Sequence, residues 1–212
     1  MRKCLLKIKP LFLNTNIRLY LSLIFGLIVN AFYIASNFIS ALVYHSLWSA
    51  TITIYHLMLM IIRIYILSSR RVGEIEGRAA GLCLRVGIFM LLLDLSSAFM
   101  MIYSMKRGIF VRYSGIILLG FLIYTIYSVT KSSLDIRRHA SDQRPIYYVA
   151  RNISLSTSLM SVFNLQYSLL SLFGANYRLT AGAIFLCGAL VFSIILALSL
   201  RLIFLGRIDR FR

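Results

Sequence analysis

Read as a pattern of apolar and polar positions, the chain divides into six apolar runs separated by short basic stretches. The runs extend from about Leu19 to Val43, Leu47 to Leu67, Ala79 to Tyr103, Ile109 to Thr130, Ile146 to Phe173 and Leu179 to Leu205. A helix rising 1.5 Å per residue needs about 20 predominantly apolar residues to cross a hydrocarbon core roughly 30 Å thick. Every run is long enough. Apolarity sustained over such lengths predicts helices, not the roughly ten-residue alternating segments of barrel strands. No polar face recurs along most of the runs, which argues against buried helices of a soluble protein. The expected fold is therefore an all-α membrane protein, a bundle of six transmembrane helices in a single domain spanning residues 1–212.

Composition agrees with the pattern. The chain is 60% hydrophobic and 14% charged, against about 45–50% and about 25% in soluble domains. These proportions exclude a secreted disulfide scaffold, a disordered tail and an ordinary cytosolic enzyme. Cys4, Cys83 and Cys187 are far apart and form no paired-Cys motif, so neither a disulfide nor a metal framework is expected. The net charge of +17 raises the question of nucleic acid. The basic residues, however, fall at the ends of apolar runs, where anionic lipid and the positive-inside rule place them. Nucleic acid is not an expected partner; the lipid bilayer with its anionic inner leaflet is.

The same charges predict orientation. Eighteen of the 23 basic residues precede the first run, follow the last, or flank the second-to-third and fourth-to-fifth connections. Only Lys106, Arg107, Arg112 and Arg178 fall on the other side, and Arg63 lies within a run. Both termini are predicted cytoplasmic in a multi-pass protein of the cell (inner) membrane. The first run follows a basic leader, but its length and the absence of a small-x-small cleavage site predict an uncleaved anchor. Leu5, Leu6, Ile8, Leu11, Phe12 and Leu13 alternate with basic residues and are expected along the inner interface. Trp48, Tyr44, Tyr103, Tyr113 and Tyr177 form an expected outer aromatic belt, with Tyr65, Tyr147 and Tyr148 at the inner boundary. Arg63, Arg85 and Arg151 lie near inner boundaries and are expected, with Trp48, to anchor the bundle at the lipid interface.

The longest connection, Lys131 to Pro145, leaves no room for an extramembrane domain, and no Gly-rich phosphate loop or H-E-x-x-H motif occurs. No cofactor or metal is expected. Asp135, His139 and Asp142 in that connection are too loosely spaced and too surrounded by basic residues to predict a metal site.

Ionisable and amide side chains inside the runs are costly in hydrocarbon, so each is a candidate for function. Counting from the predicted inner boundary at 1.5 Å per residue, Asn30 lies roughly 16 Å deep, His56 roughly 18 Å, Asp94 roughly 19 Å and Asn164 roughly 22 Å. Four helices thus carry a polar group near mid-depth. Helical spacing extends each into a face. The first holds Gly26, Asn30, Tyr33, Asn37 and Tyr44; the second His45, Ser49, Thr53, His56, Met60 and Arg63. The third holds Cys83, Gly87, Asp94, Ala98 and Met101, and the fifth the stripe Ser154, Thr157, Ser158, Ser161, Asn164 and Ser168. Unsatisfied polar groups are not tolerated against lipid, so these faces are expected to converge inside the bundle. The candidate substrate or ion path is Asp94, His56, Asn30, Asn37, Ser158, Ser161 and Asn164, with Asp94 and His56 pairing. The competing reading is interhelical hydrogen bonding alone.

Pro10 and Pro145 both lie outside the runs, so helix breaks of the kind that mark many transporter sites are not predicted. Glycines at 81, 87, 115, 120, 182 and 188 permit close helix packing. Several segments, Ile54-Tyr55-His56-Leu57-Met58 through Arg63, Tyr124-Thr125-Ile126-Tyr127, and Arg144-Pro145 through Arg151-Asn152-Ile153 to Gln166, resemble those of uncharacterised small six-span integral membrane proteins of Gram-positive bacteria. The resemblance implies a bacterial inner membrane and brings no catalytic residue with it. Three functions remain to weigh. The first is a transporter or channel with a midplane polar site. The second is a non-catalytic partner or scaffold subunit, acting through helix–helix contacts with a membrane protein or its own copies. Its candidate face is Ala189, Ser193 and Ala197. An intramembrane enzyme, with His56 and Asp94 joined by Ser49 or Ser158, is third; nothing in the spacing selects it, and no catalytic residue is assigned.

Overall fold

The computed structural model describes residues 15–68, 79–107, 113–138, 145–174 and 177–207. Among them, all regular structure is helical: α1 (Thr15–Val43), α2 (Leu47–Ser68), α3 (Ala79–Arg107), α4 (Gly115–Arg138), α5 (Pro145–Phe173) and α6 (Tyr177–Arg207). The expected interfacial segment Leu5–Leu13 lies outside the described residues, as do His139 and Asp142.

Five helices, α1 to α4 and α6, are long and apolar enough to cross a membrane. The protein is therefore of the multi-pass, integral membrane type. Their outer faces carry large apolar side chains such as Phe32, Phe99, Ile116, Leu186 and Phe204, while amides, hydroxyls and the single imidazole of α2 are buried. That inversion of the soluble pattern is what hydrocarbon solvent demands. The remaining helix, α5, is the most polar, and its position explains why. It packs against α2, α3, α4 and α6, and of its described side chains only Val162, Leu169 and Phe173 are exposed. A helix enclosed by other helices needs no apolar stripe for lipid and can carry hydroxyls on every side.

The helix ends differ from the apolar runs chiefly in α4. The run ends at Thr130, yet the helix continues through Lys131, Asp135 and Arg137 to Arg138. Hydropathy stops at the first charge, but Lys131 and Asp135 are an i,i+4 pair that a helix accommodates. The α1–α2 connection is tight. His45 adopts a left-handed backbone with φ of 47°, and the Ser46 hydroxyl accepts the Ser49 N–H at 3.1 Å as the N-cap of α2. The Tyr44 hydroxyl accepts the N–H of Ser114 at 3.1 Å, tying this turn to the start of α4.

The most extensive helix pair is α3 with α6. It closes to backbone contact: a Cβ on Gly87 would meet the Ile203 N at 3.0 Å, and one on Gly206 would meet the Ala80 carbonyl oxygen at 2.7 Å. Gly87 and Gly188 thus serve the close packing expected of them, whereas Gly81, Gly115, Gly120 and Gly182 face open space.

Candidate functional site

The four polar faces turn inward except at His45, which is exposed in the α1–α2 turn. Asn30, Tyr33 and Asn37 of α1, Ser49, Thr53, His56 and Arg63 of α2, Cys83, Gly87, Asp94 and Met101 of α3, and the whole Ser154–Ser168 stripe of α5 are buried. They do not form one site. Adjacent residues on an α-helix point about 100° apart, and Tyr55 and His56 of α2 therefore serve two centres on different sides of that helix.

The first centre is built on amides. Asn30 Nδ2 donates to the His56 carbonyl oxygen at 3.2 Å, which fixes the amide's orientation and leaves Oδ1 as an acceptor. That oxygen lies 2.9 Å from His56 Nδ1 and accepts the Tyr124 hydroxyl at 2.8 Å. The His56 proton is thereby assigned to Nδ1. The Tyr124 ring stacks on Tyr33 with centroids 3.8 Å apart, and Tyr33 meets His56 edge-on at 4.6 Å. Beyond Tyr33 the network continues to α5. Asn164 Nδ2 donates to the Tyr33 hydroxyl at 2.7 Å and to Asn37 Oδ1 at 3.3 Å, while Asn164 Oδ1 accepts the indole N–H of Trp48 at 2.9 Å. Asn37 in turn donates to the Tyr33 carbonyl oxygen at 3.0 Å. One network thus joins α1, α2, α4 and α5 through donors and acceptors whose roles are nearly all determined. Such connectivity rigidifies a core.

The second centre is built on a carboxylate. Asp94 of α3 is 2% exposed, and its Oδ1 has no hydrogen-bond partner among the described residues. Its charge bears on the Tyr55 phenol of α2, and Ser156 of α5 lies beside the same phenol. The Tyr55 and Ser156 hydroxyls are likewise buried. Three helices therefore contribute to this polar centre, Tyr55 and Ser156 side by side and Asp94 within electrostatic reach of the phenol, and the unpaired Asp94 oxygen is expensive there. The two centres do not fuse. Among the described residues His56 Nε2 also lacks a partner, so the expected Asp94–His56 pair is corrected: the imidazole faces α1 and α4, whereas the charge of Asp94 bears on Tyr55.

The remaining expected residues are placed as follows. Ser161 donates to the Ser158 carbonyl oxygen at 2.8 Å, and its own carbonyl accepts Thr125 of α4 at 3.2 Å. Ser161 thus contributes to the α4–α5 contact, and the Ser158 carbonyl is taken up within α5. Ser49, weighed as part of a triad, bonds instead to the Tyr113 hydroxyl at 2.7 Å. Of the expected anchors, Arg85 is exposed and Arg151 stacks over Tyr148 at 5.2 Å. Trp48 and Arg63 are not at the lipid interface. Trp48 is 1% exposed and held by Asn164, and Arg63 is 4% exposed with its guanidinium donating to Thr157 Oγ1 at 3.1 Å. Tyr113 is likewise in the core. In each case a polar partner inside the bundle outcompetes the headgroup region.

Sequence reasoning missed Tyr55, Ser156 and Tyr124. Tyr124 belongs to the buried face Phe121, Tyr124, Thr125, Ser128 and Ser132 of α4, a 3–4 spacing that was present to be read. Compared with protein-family models, curated proteins and solved structures, the chain matches none of them.

Proposed function

We propose that the protein is a six-span transporter- or channel-like protein of a bacterial cytoplasmic membrane, with both termini inside. In this reading Asp94, Tyr55 and Ser156 hold a proton or a small cation between α2, α3 and α5. The observation that carries it is the buried Asp94 Oδ1, without a hydrogen-bond partner among the described residues, whose charge reaches the Tyr55 phenol beside Ser156. A carboxylate kept inside a membrane bundle merely for packing would be expected to have a donor; here packing has been handed to the amide network next door. A carboxylate oxygen and two hydroxyls are hard oxygen donors of the type that small cations accept, and a carboxylate is also a group that can carry a proton. Six crossings, one more than the five sufficiently apolar helices, are supported by the 29 residues of α5, about 43 Å of helix, more than enough for a bilayer core. The charge split supports the orientation.

The test is flux. Purified protein in liposomes carrying a pH-sensitive or sodium-sensitive dye is compared with Asp94→Asn reconstituted at equal density. Cation-dependent signal in the wild-type protein that disappears in D94N supports the proposal. An equal signal from both excludes the Asp94 centre.

A second reading, a partner subunit, is favoured by a separate feature. A groove of about 790 Å³ between α1 and α2 is lined by Ala31, Ala35, Phe38, Ala50, Ile54 and Leu57 among others, on the outside of the bundle. On α6, Ser193 and Ala197 also face outward. Small residues on outer faces let another helix approach closely. Stable co-purification of one membrane protein, lost on Ala35→Leu but retained in D94N, would select this reading.

A further inference from the structure

The six helices divide into two bodies. In one, α1, α2, α4 and α5 are tied together by side-chain hydrogen bonds: the amide network, the Arg63 guanidinium on Thr157, and Thr125 on the Ser161 carbonyl. In the other, α3 and α6 meet at backbone contact through Gly87 and Gly206. The Tyr177 hydroxyl at the start of α6 also donates to the Met105 carbonyl oxygen of α3 at 2.7 Å. Among the described residues this pair packs on the rest through α2 and α5 alone, each time less extensively than α3 packs on α6. The Asp94 centre lies on that seam. Its carboxylate belongs to α3, whereas Tyr55 and Ser156 belong to the four-helix body.

The two ends of the seam differ. Where α5 turns into α6 the bodies are held close. Residues 174–176 alone join these two helices, and Gly174 has no space for a side chain against Thr180 of α6 and the Leu170 carbonyl oxygen. At the same end the buried Ser104 side chain of α3 hydrogen-bonds the Tyr167 phenol of α5. Phe163 of α5 stands 3.0 Å from where a Cβ of Gly188 would lie, and its ring meets Phe192 at 5.4 Å. At the opposite end, where α1 begins and α6 ends, the chain passes between the bodies once, through residues 69–78. From there to Asp94, α2, α3 and α5 contribute Leu59, Val86, Met90, Val149 and Ile153 to the apolar core. The Arg201 guanidinium crosses over the Tyr148 ring at 5.5 Å, but Arg201 is exposed, which makes that contact a weak one.

Lipid tails are as apolar as these side chains, so parting them in a bilayer strands no donor, whereas opening the four-helix body would break its hydrogen bonds. Packed bodies hinged at one end open in this way around ligands. We propose that the α3–α6 pair swings as one body against α1, α2, α4 and α5. It pivots at the α5–α6 turn, so that the opposite end of the seam opens and admits water and a cation to Asp94. The swing rests on the packing; its purpose rests on the cation-binding role proposed for Asp94. Ser104 lies ten residues from Asp94 and twenty from Leu84, which meets Gly206 close to Phe204. These separations are about 15 Å and about 30 Å along the helix. Room for one water beside Asp94, about 2.8 Å across, therefore requires an opening of about 6 Å at Phe204.

The test measures distances between nitroxides by pulsed electron–electron double resonance on the full chain in lipid nanodiscs. The labels are carried by p-acetylphenylalanine at exposed positions, which leaves the native cysteines and the core untouched. Ser133 of α4 with Phe204 of α6 reports across the opening end. Leu119 of α4 with Leu186 of α6 reports across the pivot end. Ile64 with Ser133 and Phe99 with Phe204 report within each body. The Ser133–Phe204 pair is expected to show a second population longer by about 6 Å, while the other three pairs keep one distance each. Asp94→Asn removes the charge whose burial penalises the closed seam, so the ratio of long to short should fall by about tenfold. Two populations in equal shares in wild type and D94N would support the swing and count against the role of Asp94. A single Ser133–Phe204 distance in both proteins would overturn the swing, whatever the flux measurement finds. Lengthening of either pair within a body, or of the pair at the pivot end, would overturn it as well.

Discussion

The two polar centres flanking α2 use similar building blocks to opposite ends. Around Asn30 and Asn164 nearly every donor has an acceptor, across four helices and within 3.3 Å. Around Asp94 the buried carboxylate Oδ1 has none among the described residues. A membrane interior penalises the second arrangement and tolerates the first. The contrast separates polar groups that hold helices together from polar groups left free to bind something, a distinction that burial alone does not make.

Mutations can break this contrast directly. The largest effect is expected from Asn30→Leu, which strands the His56 Nδ1–H and the Tyr124 hydroxyl together and should cost ~3 kcal/mol, read as a lowered midpoint of denaturant unfolding in detergent. Unchanged stability would mean that the amide network is not a structural brace. Asn164→Leu comes next at ~2 kcal/mol, since the Trp48 indole N–H and the Asn37 acceptor lose their partner. Trp48 is the single tryptophan, so its fluorescence reports this site without interference. Emission should be blue-shifted and inaccessible to iodide in the wild-type protein, and should shift in Asn164→Leu. Tyr124→Phe removes one hydrogen bond while preserving the stack on Tyr33, for a loss of about 1 kcal/mol. The smallest change belongs to Asp94→Asn, which exchanges a carboxylate without a bonded Oδ1 for a neutral isostere. Its unfolding midpoint should equal or exceed that of the wild type. A large loss of stability there would place Asp94 among the structural groups and remove the basis for the cation reading.

Much of this was legible in residue order. The six helices, the inward turn of the four polar faces and the candidacy of Asn30, His56, Asp94 and Asn164 follow from period and hydropathy. What escaped was pairing. A period of 3.6 says which side of its own helix a residue occupies, but not which neighbour it meets, so Asp94 and His56 were matched by depth when the real divide lay between Tyr55 and His56. Trp48 and Arg63 were assigned to the lipid interface because aromatic and basic residues near span ends usually lie there. Asn164 and Thr157, more than ninety positions away along the chain, draw them inside instead. The polarity of α5 is the mark of a helix that packs against four others.

The central claim is that Asp94 is a working carboxyl group, open to exchange with a proton or cation in a folded protein. Infrared difference spectroscopy of the reconstituted protein, recorded as pH and then sodium concentration are stepped, observes that group itself. The account predicts a protonated-carboxyl carbonyl band that responds to one of these changes in the wild-type protein and is missing from D94N. A spectrum indifferent to both, or a responsive band that survives in D94N, would contradict it.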